Sequence, residues 1–212
     1  MTEVVSLEAD GTDAARAALE RCISGGGVAI FPADTLYGLA CDPLNEAAVS
    51  RIHSLKRRES DKPSAVMYFS PQAMRELVDR MGPATREAVG SLLPGPVTLV
   101  IANPARHYPL ACGADPGTLG VRLIGGPLGG AMHPVFQTSA NRSGDEPPAR
   151  FDRIRKDILA GADVAIDGGE LGGAPSTVID LSGLDSGAGW TVLREGEMAV
   201  AEVERRLGAP PA

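Results

Sequence analysis

The sequence predicts an α/β (α+β) domain on one mixed sheet, and three observations carry that expectation. Short β-rich runs recur along the whole chain, and between them lie stretches whose apolar residues return with helical period. Glycine and proline, 26 and 17 of the 212 residues, mark the joints between the two kinds of segment. Intermixed strands and helices with no repeat and no long linker make residues 1–212 one domain, and 43% hydrophobic content suffices for its core.

Residues 3–7 alternate as a short strand. Residues 12–24 place Ala14, Ala15, Ala18, Leu19 and Cys22 at helical spacing with Thr12 as N-cap, and Gly25, Gly26 and Gly27 end the helix. The apolar run 28–31, closed by Pro32, has the character of a buried strand. The turn Pro32, Ala33, Asp34, Thr35 follows at its C-terminal end, where ligands commonly sit. Asn45 caps a second helix through Arg58, with Ala48, Val49, Ile52 and Leu55 on one face and Lys56 and Arg58 in its last turn, where cations suit the helix dipole. Residues 65–69 give the next strand, and 71–81 and 83–92 give two helices with proline near the start of each. After the rigid turn Leu93, Pro94, Gly95, Pro96, residues 97–102, 118–124 and 135–138 read as strands, and glycine-rich 125–130 as a mobile surface loop. Residues 151–160 form a helix, 164–167 and 177–181 strands, and 199–207 a closing helix with Glu and Arg outward.

Composition removes several functions. Twenty Lys and Arg against 27 Asp and Glu leave a net charge of −7, which gives no support to non-specific attraction to nucleic acid or to an anionic membrane. Cys22, Cys41 and Cys112 are odd in number and lack a CxxC spacing, as expected of reduced thiols. His53, His107 and His133 have no HExxH or HxH spacing, so no protein-built metal site is expected. No GxSxG, GxxxxGK[ST] or GxGxxG occurs, which removes the usual hydrolase, P-loop and dinucleotide signatures. The acidic N-terminus has no signal-peptide pattern, and no apolar run reaches the roughly 18 residues of a membrane span; a cytoplasmic protein with no membrane partner is expected.

Against this acidic background, Lys56, Arg57, Arg58 and Lys62 gather within one short segment. They follow a strand, a turn bearing Thr35 and a helix, so the chain can bring cations back toward the hydroxyl and close a pocket for a phosphate or carboxylate. A solvated helix end is the ordinary alternative. Gln137, Thr138, Ser139, Asn141 and Arg142 follow an apolar strand and supply groups able to bind phosphate oxygens or an adenine edge; the same residues also make ordinary Asx or Ser/Thr turns. Ser176 entering a strand and Arg194 leaving one are weaker signals, each common without any function.

Taken in order, PADTLYGLACD (32–42), KRRESDKP (56–63), LPGPVTLV (93–100), GTLGVRL (117–123), TSANRSG (138–144), PSTVID (175–180) and LREG (193–196) resemble the YrdC/Sua5 family. The resemblance runs from about residue 15 to 198. It implies a YrdC-like twisted mixed β-sheet with flanking helices around a concave electropositive pocket. The chain leaves no room for the extra C-terminal domain of the longer Sua5 type, so the single-domain form is implied. The implied activity is that of an L-threonylcarbamoyladenylate synthase, a nucleotidyltransferase. It converts L-threonine, bicarbonate and ATP, with Mg²⁺ bound to the ATP, into threonylcarbamoyl-AMP and pyrophosphate. A downstream threonylcarbamoyl transferase complex then modifies adenosine 37 of tRNA, and weak tRNA binding is a further implied contact.

By motif, the resemblance assigns Lys56, Arg58, Ser139 and Asn141 to the triphosphate as the catalytic set, with Lys62, Thr118 and Arg194 as further ATP-binding residues. Thr35, Arg122 and Ser176 fall on threonine-binding positions, Arg122 as the fork for the amino-acid carboxylate. The reaction asks mainly for alignment and charge stabilisation, and no residue is identified as a general base. Four positions depart from the family pattern: Ala33 replaces a hydroxyl residue, Met67 stands where many members have histidine, Ile124 replaces a proline, and Pro147 replaces a serine that contacts ATP. A paralogue with a different acceptor amino acid is therefore one alternative. Another is a non-catalytic protein that binds tRNA or double-stranded RNA, against which the acidity and 4% aromatic content speak.

Overall fold

In the computed structural model, which describes residues 1–209, β1 (Glu3–Ser6) leads into α1 (Gly11–Ser24), whose buried Ala15, Ala18, Leu19, Cys22 and Ile23 form one face. Thr12 is not the cap. Asp10 holds that position, its carboxylate accepts from Ser6 N at 2.8 Å instead of from the helix, and Thr12 lies inside the first turn. β2 (Ala29–Pro32) and β3 (Tyr37–Cys41) make a hairpin. The sequence did not mark β3, because every one of its residues is buried and no polar alternation betrays it.

α2 (Glu46–Lys56) is capped as expected, Asn45 Oδ1 accepting from Ala48 N at 3.0 Å. It stops short of Arg58. Arg57 turns left-handed at φ 50° and Arg58 N closes onto His53 O at 2.9 Å, so Arg58 leaves the helix axis. β4 (Ala65–Tyr68), α3 (Pro71–Asp79), α4 (Pro83–Leu92) and β5 (Val97–Ala102) follow, then the unanticipated α5 (Pro109–Cys112), β6 (Thr118–Leu123) and β7 (Val135–Ser139).

The helix expected over 151–160 is divided into a 3-10 turn, Phe151–Arg153, and α6 (Lys156–Ala160), because Ile154 takes an extended backbone as it enters the core. β8 (Val164–Asp167), β9 (Thr177–Asp180), the edge strand β10 (Thr191–Arg194), which Arg194 leaves as the sequence suggested, and α7 (Val200–Leu207) complete the described chain. The glycine-rich segment 125–130 is a compact turn rather than a loose loop. Leu128 is sunk in the core, and Gly130 N donates to Phe69 O at 2.8 Å.

All ten strands form one mixed sheet in the order β1-β8-β2-β3-β7-β4-β6-β5-β9-β10. β8 is parallel to β1 and β2, β4 to β6 and β5 to β9, and the remaining neighbours are antiparallel. One face is buried across the sheet: Ile30, Leu39, Phe136, Val66, Val121, Leu99 and Ile179 share a continuous core with residues of α2, α3 and α4. On the other face a second core, built with α1 and Leu128, covers the β8-β2-β3 side through Ala29, Phe31, Ala40 and Ile166. Beyond it the sheet turns small or polar residues outward. In β6, Leu119, Val121 and Leu123 enter the core while Thr118, Gly120 and Arg122 point the other way. The candidate site lies on this uncovered half.

Candidate active site

A cavity of about 620 Å³ occupies the uncovered half of the sheet. Thr98 and Val100 of β5, Thr118, Gly120 and Arg122 of β6, and Gln137 and Ser139 of β7 are among the residues that line it, together with Thr35 from the β2–β3 turn. This volume is in the range of small-molecule sites, roughly 300–1,000 Å³.

Arg122 sits deepest, at 5% exposure. Its Nη1 reaches Gln137 Oε1 at 3.4 Å and its Nη2 reaches Ala33 O at 3.5 Å, both long, while Nε has no partner. Burial pulls its pKa down to about 10, Asp34's opposite charge resisting and Arg194's like charge adding to the pull. A desolvated cation with such weak partners is a strong receptor for an anion.

Arg58 is half-buried at another part of the wall. Its Nη2 donates to Pro63 O at 2.7 Å, and its Nε is buried without a partner. Burial lowers its pKa as well. Gly113 fixes this segment: with φ +66° and an added Cβ only 2.4 Å from Asp61 O, no other residue fits, and Ala114 N donates to that same oxygen at 2.9 Å. Ser64 Oγ is a third buried, unpartnered polar atom on the lining.

Lys56 does not face the cavity. At 1% exposure its Nζ donates to Ser139 O and to Asn141 O (2.7 Å), with Ser139 Oγ and Asn141 Oδ1 each at 3.4 Å, while Ser143 N donates to Lys56 O at 2.8 Å. Burial, with the like charge of Arg58, pulls its pKa down to about 7. Asn141 is likewise committed to its own turn, Nδ2 donating to Arg142 O (2.8 Å) and Asp145 O (2.6 Å). Lys56 and Asn141 therefore shape the loop that presents Ser139, the member of that loop that lines the cavity.

At the β9–β10 side, Arg194 Nη2 donates to Ser176 O at 2.7 Å and lies 3.3 Å from Ser176 Oγ, which is itself 2.9 Å from Thr98 Oγ1. Of the residues picked from sequence, Thr35, Arg58, Thr118, Arg122, Ser139, Ser176 and Arg194 line one cavity. Lys56, Lys62 and Asn141 do not; Lys62 is exposed and paired with Glu59 at 2.9 Å. The charges along the wall are balanced, Arg58, Arg122 and Arg194 against Asp61, Asp115 and Asp180. Gln137, singled out with the segment after β7, lines it too, whereas Ser64 and Thr98 were missed. The signal for them was a polar side chain at an alternate position of an apolar strand, or next to one. Among the described residues no group of three or more His, Cys, Asp or Glu is placed to hold a metal ion, and no helix is long and apolar enough to cross a membrane.

The family model Sua5_yciO_yrdC, described as Telomere recombination, matches residues 21–196. The threonylcarbamoyl-AMP synthase of Xanthomonas oryzae pv. oryzae is 36% identical over 154 residues, 69% of this chain and 81% of that protein. That of Thiobacillus denitrificans is 31% identical over 181 residues, 82% of this chain and 95% of that protein. Among solved structures, P. abyssi Sua5 complexed with L-threonine aligns with a TM-score of 0.82 at 28% identity over 99% of this chain, which spans 62% of the Sua5 chain. E. coli YciO, 22% identical, shares the fold with a TM-score of 0.78 over 96% of this chain and 98% of its own. With the family model matched over most of its length and relatives at this identity covering more than two thirds of it, the chain belongs to the Sua5/YciO/YrdC family.

Proposed function

We propose that the protein is an L-threonylcarbamoyladenylate synthase, which joins L-threonine, bicarbonate and ATP into threonylcarbamoyl-AMP with release of pyrophosphate. The observation that carries the reading is the pair of under-partnered guanidinium groups, Arg122 and Arg58, on the wall of one cavity large enough for two ligands. Family membership and relatives bearing that enzyme's name support it.

Arg122 takes the threonine carboxylate as a two-pronged donor, with the Thr35 and Ser176 hydroxyls beside the amino acid. Arg58, Ser139, Thr118 and Arg194 take ATP, and Lys56 and Asn141 hold the loop from which Ser139 projects. In the reaction the unprotonated threonine amine attacks the carbon of bicarbonate, a C–O bond of bicarbonate breaks, and water leaves with the amine proton to give the carbamate. A carbamate oxygen then attacks the α-phosphorus, and the bond to the β-phosphate oxygen breaks with pyrophosphate leaving. The protein contributes alignment and neutralisation of developing charge. Mg²⁺ enters as part of the ATP substrate. A downstream threonylcarbamoyl transferase complex, tRNA adenosine 37 and a cytoplasmic location complete the proposal.

The test is pyrophosphate release from ATP, Mg²⁺ and bicarbonate, comparing threonine with serine, other amino acids and none. Threonine-dependent release is expected. Release with another amino acid instead would move the assignment to a paralogue of different acceptor, with Ala33 and Met67 as the residues to restore. No release from folded, ATP-binding protein would remove the synthase reading.

A further inference from the structure

A second concavity, of about 370 Å³, lies between α3 and α4, at the face of the sheet opposite the cavity. Met74, Val89, Leu93 and Leu123 line it, all at 9% exposure or less. The charged residues on its lining are Arg75 and Arg86, and no Asp or Glu joins them, although the chain as a whole is acidic. Arg86 is fixed across the α3–α4 joint, Nη2 donating to Asp79 O and Met81 O at 3.1 Å. Arg75 makes no ion pair with any described residue.

Gly90 is an independent observation. It lies inside α4 and lines the same groove, where glycine weakens a helix. A Cβ there would meet nothing within 4 Å, and its φ is not in the left-handed region, so nothing within the chain requires glycine. What glycine does provide is a bare strip of helix on which another backbone can approach closely.

We propose that this groove docks an amphipathic helix of a partner protein, with apolar anchors set on Met74, Val89, Leu93 and Leu123 and carboxylates facing Arg75 and Arg86. Apolar floor, cationic rim and a glycine strip together fit an acidic helix better than a second copy of this site, whose own rim would bring arginine against arginine.

The probe is a fluorescent model helix of roughly 18 residues with leucines at i, i+3, i+4 and i+7 and glutamates flanking them, alongside the same helix with lysines in their place. Anisotropy is expected to show saturable binding of the acidic helix, at least about tenfold tighter than the lysine helix. Arg75→Glu with Arg86→Glu should reverse that preference. Gly90→Ala should raise Tm by about 2–4 °C, because it restores helix propensity, and yet weaken binding; Gly90→Leu should weaken it by about tenfold or more. Absence of saturable binding, equal binding of the two helices, or unchanged binding by folded Gly90→Leu would each overturn the proposal. So would light scattering that shows a dimer broken by the same variants, since the occupant would then be a second copy.

Discussion

Lys56→Met separates two opposing effects on one buried ammonium. The substitution keeps the unbranched side chain as far as its ε-carbon but leaves Ser139 O and Asn141 O without their donor. Each buried unsatisfied acceptor costs about 1–3 kcal/mol, an offset that does not change with pH. The charge behaves differently. The folded-state pKa of Lys56 is pulled from 10.5 to about 7, so the unfolded chain holds a proton that the folded chain releases across that window. Stability rises with pH wherever the unfolded state binds more protons. The burden of burying the ammonium is therefore fully present below pH 7 and is lifted progressively toward pH 10.5.

Each pH unit inside the window is worth about 1.4 kcal/mol. Between pH 7 and pH 9 the wild type should gain up to about 3 kcal/mol relative to Lys56→Met, or roughly 6–12 °C in Tm for a domain of this size. Urea unfolding of both proteins at the two pH values measures it, and the unsatisfied carbonyls cancel in the comparison. A difference between the proteins that stays constant from pH 7 to pH 9 would refute the reasoning. It would mean that the oxygen cage around Nζ holds the proton against desolvation and that Lys56 stays cationic throughout.

Arg122→Gln should lower kcat/KM for threonine by about 30-fold or more, the loss expected when a buried charge pair loses one partner, while KM for ATP changes little. Arg58→Ala should abolish detectable adenylate formation with native thermal stability, since Arg58 has left the helix and holds only Pro63 O; full activity in folded protein would remove it from the site. Gly113→Ala should unfold at lower temperature, by several degrees, because it combines a left-handed φ with a backbone clash at Asp61; an unchanged Tm would mean that the segment relaxes without strain.

Much of the fold was legible because its elements announce themselves locally. Asn45 before an apolar-periodic run and proline at the start of α3 and α4 are signals that the chain carries in itself. β3 was not legible, and of β10 only the end at Arg194 was, for opposite reasons. Tyr37, Gly38, Leu39, Ala40 and Cys41 are all buried between neighbours, so nothing alternates. β10 is an edge strand with three of its four residues exposed, and its partner β9 alone defines it. At the site, the sequence grouped residues by chemical type but not by direction. Lys56 and Arg58 are neighbours in a basic segment, yet the left-handed Arg57 between them sends one into a cage of carbonyls and the other to the cavity wall.

That division also reconciles the proposed ATP site with the acidity of the chain. Most of its arginines are spent on the surface: Arg51 against Asp163, Arg150 against Asp152, Arg155 against Asp157, Arg206 against Glu202. Such exposed pairs contribute little to stability and offer no free donors to a ligand. Net charge counts them all equally, whereas binding depends on cations that are out of water and short of partners. Arg122 and Arg58 are in that state because alternating strands and one left-handed residue put them on the uncovered half of the sheet. A broad basic face for RNA would need many more such groups, whereas the cavity wall sets only Arg58, Arg122 and Arg194 among Asp61, Asp115 and Asp180.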